Sequence, residues 1–410
     1  MKHGFRLSLL GAALVFAAQV HAGTLTVNIA FKGANQRAFW DTAIAEFQKA
    51  NPDVTVKAAY IEEEAYKVQL PGWLISEAPD IVKWHEGERM RYYAKRGLLD
   101  DMSGDWQKNG WNTTLASLKE PSSYEGKQYA LPTDYFSWGV FYRKDLFDKV
   151  GIKGEPKTWD EFLDDCKKLK AVGIAPIVVG GRDAWPLAAW FDYIDLRLNG
   201  YAFHMQLMDG KIPYTDARVK KVYETWKMLI DNKYFVDNPL SYTLDSSQPL
   251  LIQGQAAMML MGSFIAGGLP DAIKPKVGYF QFPVMDPRIT VAEDGSADCL
   301  NIPSKAKNKV DARRFLAFMS TPAMDTRWAK AFGSLPANNQ ASVADDPFTK
   351  TGFAILSNTK GGIAQFYDRD MTKEMADEGM KGMQRFVSDP STLDQVLAHL
   401  EETRQRIYKQ

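Results

Sequence analysis

The feature that most constrains this chain is an alternation of short apolar strands with amphipathic helices between residues 25 and 82. Leu25-Thr26-Val27-Asn28-Ile29 alternates apolar and polar residues at the strand period. A helical face then runs through Phe39, Ala43, Ile44 and Phe47 and is stopped by Asn51-Pro52. Val54-Thr55-Val56 reads as a second strand, Tyr66 to Ile75 as a helix, and Asp80-Ile81-Val82 as a third strand. Strand–helix–strand–helix–strand predicts an α/β unit with a largely parallel sheet, because a crossover helix is the economical way to return a chain to the same sheet edge.

The pattern returns later with less regularity. Trp138 to Tyr142 reads as a strand. Thr158 caps a helix from Trp159 to Val172, with Glu161 completing a capping box. Pro176 to Val179 reads as a strand before Gly180-Gly181, Ala217 to Asn232 as an amphipathic helix, and Ala256 to Met261 as an apolar segment ending at Gly262. Thr372 to Phe386 and Thr392 to Tyr408 read as helices. The 410 residues exceed what one small core needs, and no repeat or low-complexity linker interrupts them. Two packed α/β lobes without a flexible tether are expected.

The first 22 residues have a different character. Lys2 and Arg6 precede an apolar run from Leu7 to Val20, broken only by Ser8, Gly11 and Gln19, and Val20-His21-Ala22 ends in the small residue of an export cleavage site. The run has about 14 residues where a helical span needs about 20. Cleavage after Ala22 is expected, leaving a chain that begins at Gly23 in a periplasm. No cysteine follows the run, so a lipid anchor is not expected. Cys166 and Cys299 fall in a helix and a strand and read as buried thiols rather than a disulfide framework.

Fifty basic and fifty acidic residues leave no basic excess for nucleic acid. Three histidines remain beyond the export segment, His85, His204 and His399, without metal-ligand spacing. Neither a nucleophile elbow nor a phosphate-cradling glycine loop is present, so no cofactor and no metal are expected. Carboxylates are plentiful, and Glu86, Asp134, Asp298 and Asp368 leave a glycosidase acid/base pair open as the alternative.

Five segments, in order along the chain, resemble the family 1 extracellular solute-binding proteins of carbohydrate ABC importers. They are Ala78 to Glu86 with Tyr93-Ala94 and Gly97 to Leu99; Tyr129 to Pro132 with Phe141 to Phe147; Pro156 to Phe162; Gly254 to Met258 leading to Met261 to Phe264; and Ile302-Pro303 with Lys305 to Lys309, Ala312 and Phe315-Leu316. The resemblance implies a two-lobe periplasmic binding protein fold (type II-like) whose ligand cleft lies between lobes joined by crossovers at about Pro132–Ser137, Tyr279–Val284 and Ser334–Asn339. It places residues 23–133 and 283–336 in lobe 1, and 134–282 and 337–410 in lobe 2. It also implies a non-enzymatic monomer that captures a mono- or oligosaccharide and delivers it to membrane permease subunits, or reports on it to a sensor.

The composition suits such a role: 12% of residues are aromatic, and the C–H faces of a pyranose pack on rings while its hydroxyls need in-plane polar partners. Trp84 follows Asp80-Ile81-Val82 at the carboxyl end of a parallel strand, where open α/β sheets place ligands. The resemblance puts a sugar-contacting Trp there, with Glu86 beside it. It likewise offers Lys32 and Asn35 after the first strand and Glu64 on an acidic stretch, which an exposed face explains as well. In the second lobe Arg182, Asp183 and Trp185 are candidates. Arg182 and Asp183 stand where the family often has aromatics, which points to a more polar, smaller or charged ligand. Ser263 is a candidate contact, and Phe264 fits either stacking or core packing. Asn338 lies near the third crossover. Tyr367, Asp368 and Arg369 open a late helix. Asp134, Phe136 and Trp138 alternate on one face of the first crossover; the first two are ligand candidates and Trp138 is expected in the core. Asp298, between Ala297 and Cys299, needs a partner if buried.

Overall fold

The structure, a computed structural model, describes residues 23–31 and 34–408. The expected export segment and Lys32 lie outside the described residues. The strands that build the site are β1 (Gly23–Phe31), β2 (Val54–Glu62), β3 (Ile81–His85), β4 (Leu131–Arg143), β5 (Ala175–Ile177), β6 (Ala256–Gly262), β7 (Val277–Phe280), β8 (Glu293–Asn301) and β9 (Leu335–Pro336). The helices around it are α1 (Ala34–Ala50), α2 (Glu63–Ile75), α3 (Glu88–Ala94), α4 (Trp159–Ala171), α5 (Trp185–Leu198), α6 (Pro322–Phe332), α7 (Tyr367–Asp370) and α8 (Lys373–Ser388).

β1 pairs in parallel with β2 and β3, as the strand–helix alternation predicts. The order continues as β2-β1-β3-β8-β4-β6-β5, with β8 antiparallel to both β3 and β4. Strand β4 is long because it serves both halves. Its first part pairs with β8 and β9, and its second part with β6 and β7. A mixed α/β, two-lobe architecture results, with two bodies sharing strands at their junction.

The cores follow this division. One draws on residues between Trp138 and Phe282 and between Phe348 and Leu400; the other on Leu25 to Leu131 and Ala297 to Ala337, in two adjoining clusters. The expected crossover at Tyr279–Val284 is corrected here. Tyr279 and Phe282 pack in the former core, and the chain passes between lobes on β8. That strand is polar in sequence yet wholly buried, since it is paired on both sides. The capping box at Thr158 is present: Glu161 N donates to Thr158 Oγ1, and the Glu161 carboxylate accepts from Thr158 N. Gly181–Asp183 form a single 3-10 turn and α5 begins at Trp185, where Pro186 suits a first turn that needs no amide donor.

Candidate ligand site between the lobes

Strand parity decides what faces the cleft. In β3, Lys83 and His85 point toward β8's Asp298, while Val82 and Trp84 point the other way. Trp84 therefore sits in a core under α2 and α3, 5% exposed, beside Tyr66 and Tyr93, with its indole N–H donating to Arg89 O. The expectation that it stacks on a ligand is corrected by this one-residue phase. In β4 the same rule brings Phe136 and Trp138 into one wall; Trp138, expected in the core, lines the cleft. Its indole N–H donates to Ser296 Oγ on β8 at 3.1 Å.

The central chamber has about 600 Å³ of empty space including its open mouth. Its floor is aromatic. Trp138 stacks on Phe366 at 4.4 Å between centroids, and Phe264 stands edge-on to Phe136 at 5.3 Å and to Trp138 at 6.1 Å. Trp185 completes it, 6.2 Å from Trp138. Two of these rings are set by backbone that side chains rarely adopt. Ala184, immediately before Trp185, has φ 65°, and Phe366 itself has φ 142°. Such conformations cost on the order of 1–3 kcal/mol and persist where surroundings over-determine them. For Phe366 the restraint is visible, because the Asp370 carboxylate accepts from the amides of Gln365 and Phe366.

The facing wall is polar. Asp298 receives Lys83 Nζ at 2.6 Å on one oxygen; His85 Nδ1 lies at 2.8 Å and Arg369 Nη2 at 3.2 Å from the other. Burial opposes ionisation of Asp298, but the charges of Lys83, His85 and Arg369 hold it well below the usual carboxylate range. His85 Nε2 lies 3.3 Å from Glu63 at the start of α2. Arg89 Nη2 meets Asp368 Oδ2 at 2.5 Å, and despite burial the Arg89 and Arg369 charges bring Asp368 down to about 2.

Other candidates are placed elsewhere. Glu86 is fully buried beside the wall, where Ser122 Oγ donates to Oε1, and burial pushes it up to about 8. Asp134 is buried beneath the hinge bulge; burial and the Asp298 charge raise it to about 6. Asn338 staples its own loop, taking the Gln340 amide and donating to Ser320 O. Tyr367 lies in the core with its hydroxyl 3.4 Å from that of Tyr214. These four do not line the chamber; their polar atoms are engaged away from it by Ser122, Thr133, Ser320 and Tyr214. Ser263 and Asn35 join the two halves: Ser263 Oγ donates to Gly333 O, and Asn35 Nδ2 to Gly267 O at 3.2 Å. Glu64, Arg182 and Asp183 stand on an outer rim, where Glu64 pairs with Lys67 and Asp183 accepts from Leu244 N. The structure thus brings Phe136, Trp185, Phe264, Asp298, Asp368 and Arg369 together with Glu63, the neighbour of Glu64 on the same acidic stretch, and adds Gln36, Lys67, Lys83, His85, Trp138, Ser296, Phe332 and Phe366.

The model of the bacterial extracellular solute-binding proteins matches residues 33–326. The chain belongs to this family. An ABC transporter extracellular-binding protein of Pyrococcus horikoshii is 26% identical over 336 residues, 80% of this chain and 75% of its own length. The multiple sugar-binding protein of Streptococcus mutans is 24% identical, over 71% of this chain and 70% of its own. Among solved structures, the bacterial solute receptor AcbH, described as preferring β-D-galactopyranose exclusively, superposes with a TM-score of 0.88 at 26% identity, covering 94% of this chain and all of that one. This solute-binding protein binds its ligand without transforming it, as the family does. Of the four carboxyls considered for an acid/base pair, Asp298 and Asp368 line the chamber and are held ionised, while the raised Glu86 and Asp134 lie outside its lining. Among the described residues no helix is long and apolar enough to cross a membrane.

Proposed function

We propose that the chain is an exported receptor that captures a saccharide between its lobes and delivers it to the permease subunits of an ABC importer. The observation that carries this reading is the pairing of an aromatic floor with a polar wall across one interlobe chamber. A sugar needs both at once, rings for its C–H faces and fixed donors and acceptors for its hydroxyls. The names of the relatives point the same way. In this reading the export segment is cleaved after Ala22, the receptor acts as a monomer in the periplasm, and nucleic acid plays no part. In the same reading one lobe comprises residues 23–133 and the chain from β8 to 336, and the other residues 134–292 and 337–410, because before the β8 crossover Val284 pairs with Thr158 and Ala292 O accepts from Arg197.

Chamber contacts come from Phe136, Trp138, Trp185, Phe264 and Phe366 on the stacking side, and from Lys83, His85, Asp298 and Arg369 on the hydrogen-bonding side. A thermal-shift screen of residues 23–410 tests the reading, since a ligand that binds only the folded state raises the melting temperature. A clear rise is expected with some saccharide and none with amino acids or polyamines. No rise with any saccharide would remove the reading.

A further inference from the structure

Three spaces in the cleft between the lobes run into one another. The chamber shares Gln36, Phe264 and Phe332 with a cavity beside Asn35 and Gly267, and Glu63 and Trp185 with a cavity on the rim. Those two outer cavities in turn share Leu244 and Asp245. With their mouths included they hold about 850 and 1250 Å³ of empty space, beside about 600 Å³ in the chamber. Clefts of about 300–1,000 Å³ enclose drug-sized ligands, nearer in bulk to a di- or trisaccharide than to one sugar ring. Aromatic rings continue along the path. Phe264 and Trp185, 6.4 Å apart, each border the chamber and one outer cavity, and Phe31 stands farther out on the rim. A ring that borders two spaces can pack against consecutive sugar units.

The opposite side of the chamber is a wall. There Arg89 of α3 grips Asp368 of α7, and Gly87 comes so near that a Cβ on it would meet Arg369 O at 2.5 Å. Gly87 has φ 67°, which favours glycine, so the close approach is built into the chain. Beyond this contact lies another cavity, bordered by Glu88 and Arg91 of α3 and by Gln365 and Asp370. Among the described residues it shares none of its lining with the chamber. A string of sugars can leave the chamber toward Trp185 and Phe264, but not toward Arg89.

Polar groups are distributed as unevenly as the space. Lys83, His85, Asp298 and Arg369 line the chamber and neither outer cavity. They are buried and tied to one another through Asp298, so their positions are fixed. A sugar whose hydroxyls point the wrong way leaves such groups unmet, away from water that could replace it. The outer cavities offer exposed or half-buried side chains instead, among them Arg182, Asp245 and Gln248.

Resting on the reading of the chain as a sugar receptor, we propose that the ligand is an oligosaccharide held end-first. Its terminal sugar is read strictly in the chamber, and the following units lie in the outer cavities with less discrimination. The Arg182 and Asp183 departures on the rim then bear on those outer units and not on the terminal one.

Titration calorimetry of the exported protein tests this with D-glucose, D-galactose, D-mannose and D-xylose, and with linear oligosaccharides of two to five units built from each. In one series, affinity is expected to rise at least tenfold from the monosaccharide to the best oligomer. On that oligomer, a naphthyl glycoside at the reducing end and a 4,6-O-benzylidene cap at the other end are expected to act unequally. One should lower affinity at least tenfold more than the other. Asp245→Trp, which adds bulk where the outer cavities meet, is expected to weaken the best oligomer at least fivefold more than the shortest saccharide that binds. A monosaccharide that matches every oligomer built from it, caps that act equally at both ends, or an Asp245→Trp variant that treats long and short ligands alike overturns the inference and leaves the receptor reading intact. Absence of binding by every saccharide removes both.

Discussion

Two buried acidic regions lie side by side on the same segments of chain and behave oppositely. On β8, Asp298 is held well below the usual carboxylate range, while Asp294, four residues earlier, is pushed up to about 8. On α7, Asp368 falls to about 2 and Asp370 rises to about 6. Burial raises all four. The difference is in the cations. Asp298 and Asp368 have Lys83, Arg89 and Arg369 within direct contact. Asp294 looks instead toward His204 and other carboxyls, and both its oxygens are without a hydrogen-bond partner among the described residues. Asp192 beside it is likewise raised by burial and by Asp294. His204 is drawn upward although burial opposes its charge, because Asp195 lies 2.8 Å away. Burial alone does not make a carboxyl chemically useful; a charged carboxylate that can hold a sugar hydroxyl has to be kept charged by neighbours.

The largest expected effect comes from breaking the charged region. Asp298→Ala leaves Lys83 and Arg369 facing one another without their shared anion. Removing one partner from a buried pair costs about 3–5 kcal/mol, so denaturant titration should show a loss of that order and calorimetry should show no sugar binding. If the variant keeps full stability and affinity, the chamber's electrostatic frame is wrong.

Trp185→Ala separates ligand contact from fold. The ring faces the chamber beside Trp138 and Phe264, so affinity is expected to fall roughly 10- to 100-fold, each tenfold step being about 1.4 kcal/mol. Trp84→Ala is its control: it hollows a core, which costs about 3–5 kcal/mol of stability, yet the protein that remains folded should bind sugar unchanged. Equal losses of affinity in both variants would erase the distinction between floor and core.

That control also shows how far the sequence could be read. The first three strands and their helices were legible because Leu25, Val27 and Ile29, and then Phe39, Ile44 and Phe47, carry unambiguous periods. The two-lobe α/β class followed from resemblance in five ordered segments. Trp84 was misplaced because chain position locates a strand end but not which face a residue takes; Lys83 and His85, its neighbours on either side, hold the cleft. Trp138 was assigned to the core because a buried aromatic strand gives no sign that a ligand chamber borders it. Phe366 and the α5 start depend on Ala184 and Phe366 adopting positive φ, which no local residue preference announces. Lys67 had a readable signal, standing one helical turn from Glu63 on α2.

In the other acidic region the expected effects touch stability alone. His204→Ala removes the partner of one Asp195 oxygen, the other keeping Asn199, and an unsatisfied buried acceptor costs about 1–3 kcal/mol. Sugar affinity should be unchanged. A shift in affinity would mean that the two regions are coupled through β8 and α7 rather than merely adjacent.

The sharpest test of the contrast is the pH dependence of Asp294→Asn. In the folded protein Asp294 keeps its proton up to about pH 8, whereas in the unfolded chain it loses it near the ordinary value of 3.8. Between those limits the folded state binds one more proton, so its contribution to stability declines as pH rises and is fully lost above about pH 8. Asp368 runs the other way. Its folded value of about 2 lies below 3.8, so its contribution is present above pH 4 and disappears as pH falls through 2. Melting temperature measured from pH 5 to 9 should therefore fall with pH in the parent protein and fall less in Asp294→Asn, with Glu86, also raised to about 8, supplying part of the slope that remains. The two proteins should be closest at pH 5, where the unfolded parent has been ionised over little more than one pH unit, and should diverge steadily toward pH 8. A parallel pair of curves would show that Asp294 is ionised in the folded state, and that a cation holds it as Lys83 and Arg369 hold Asp298.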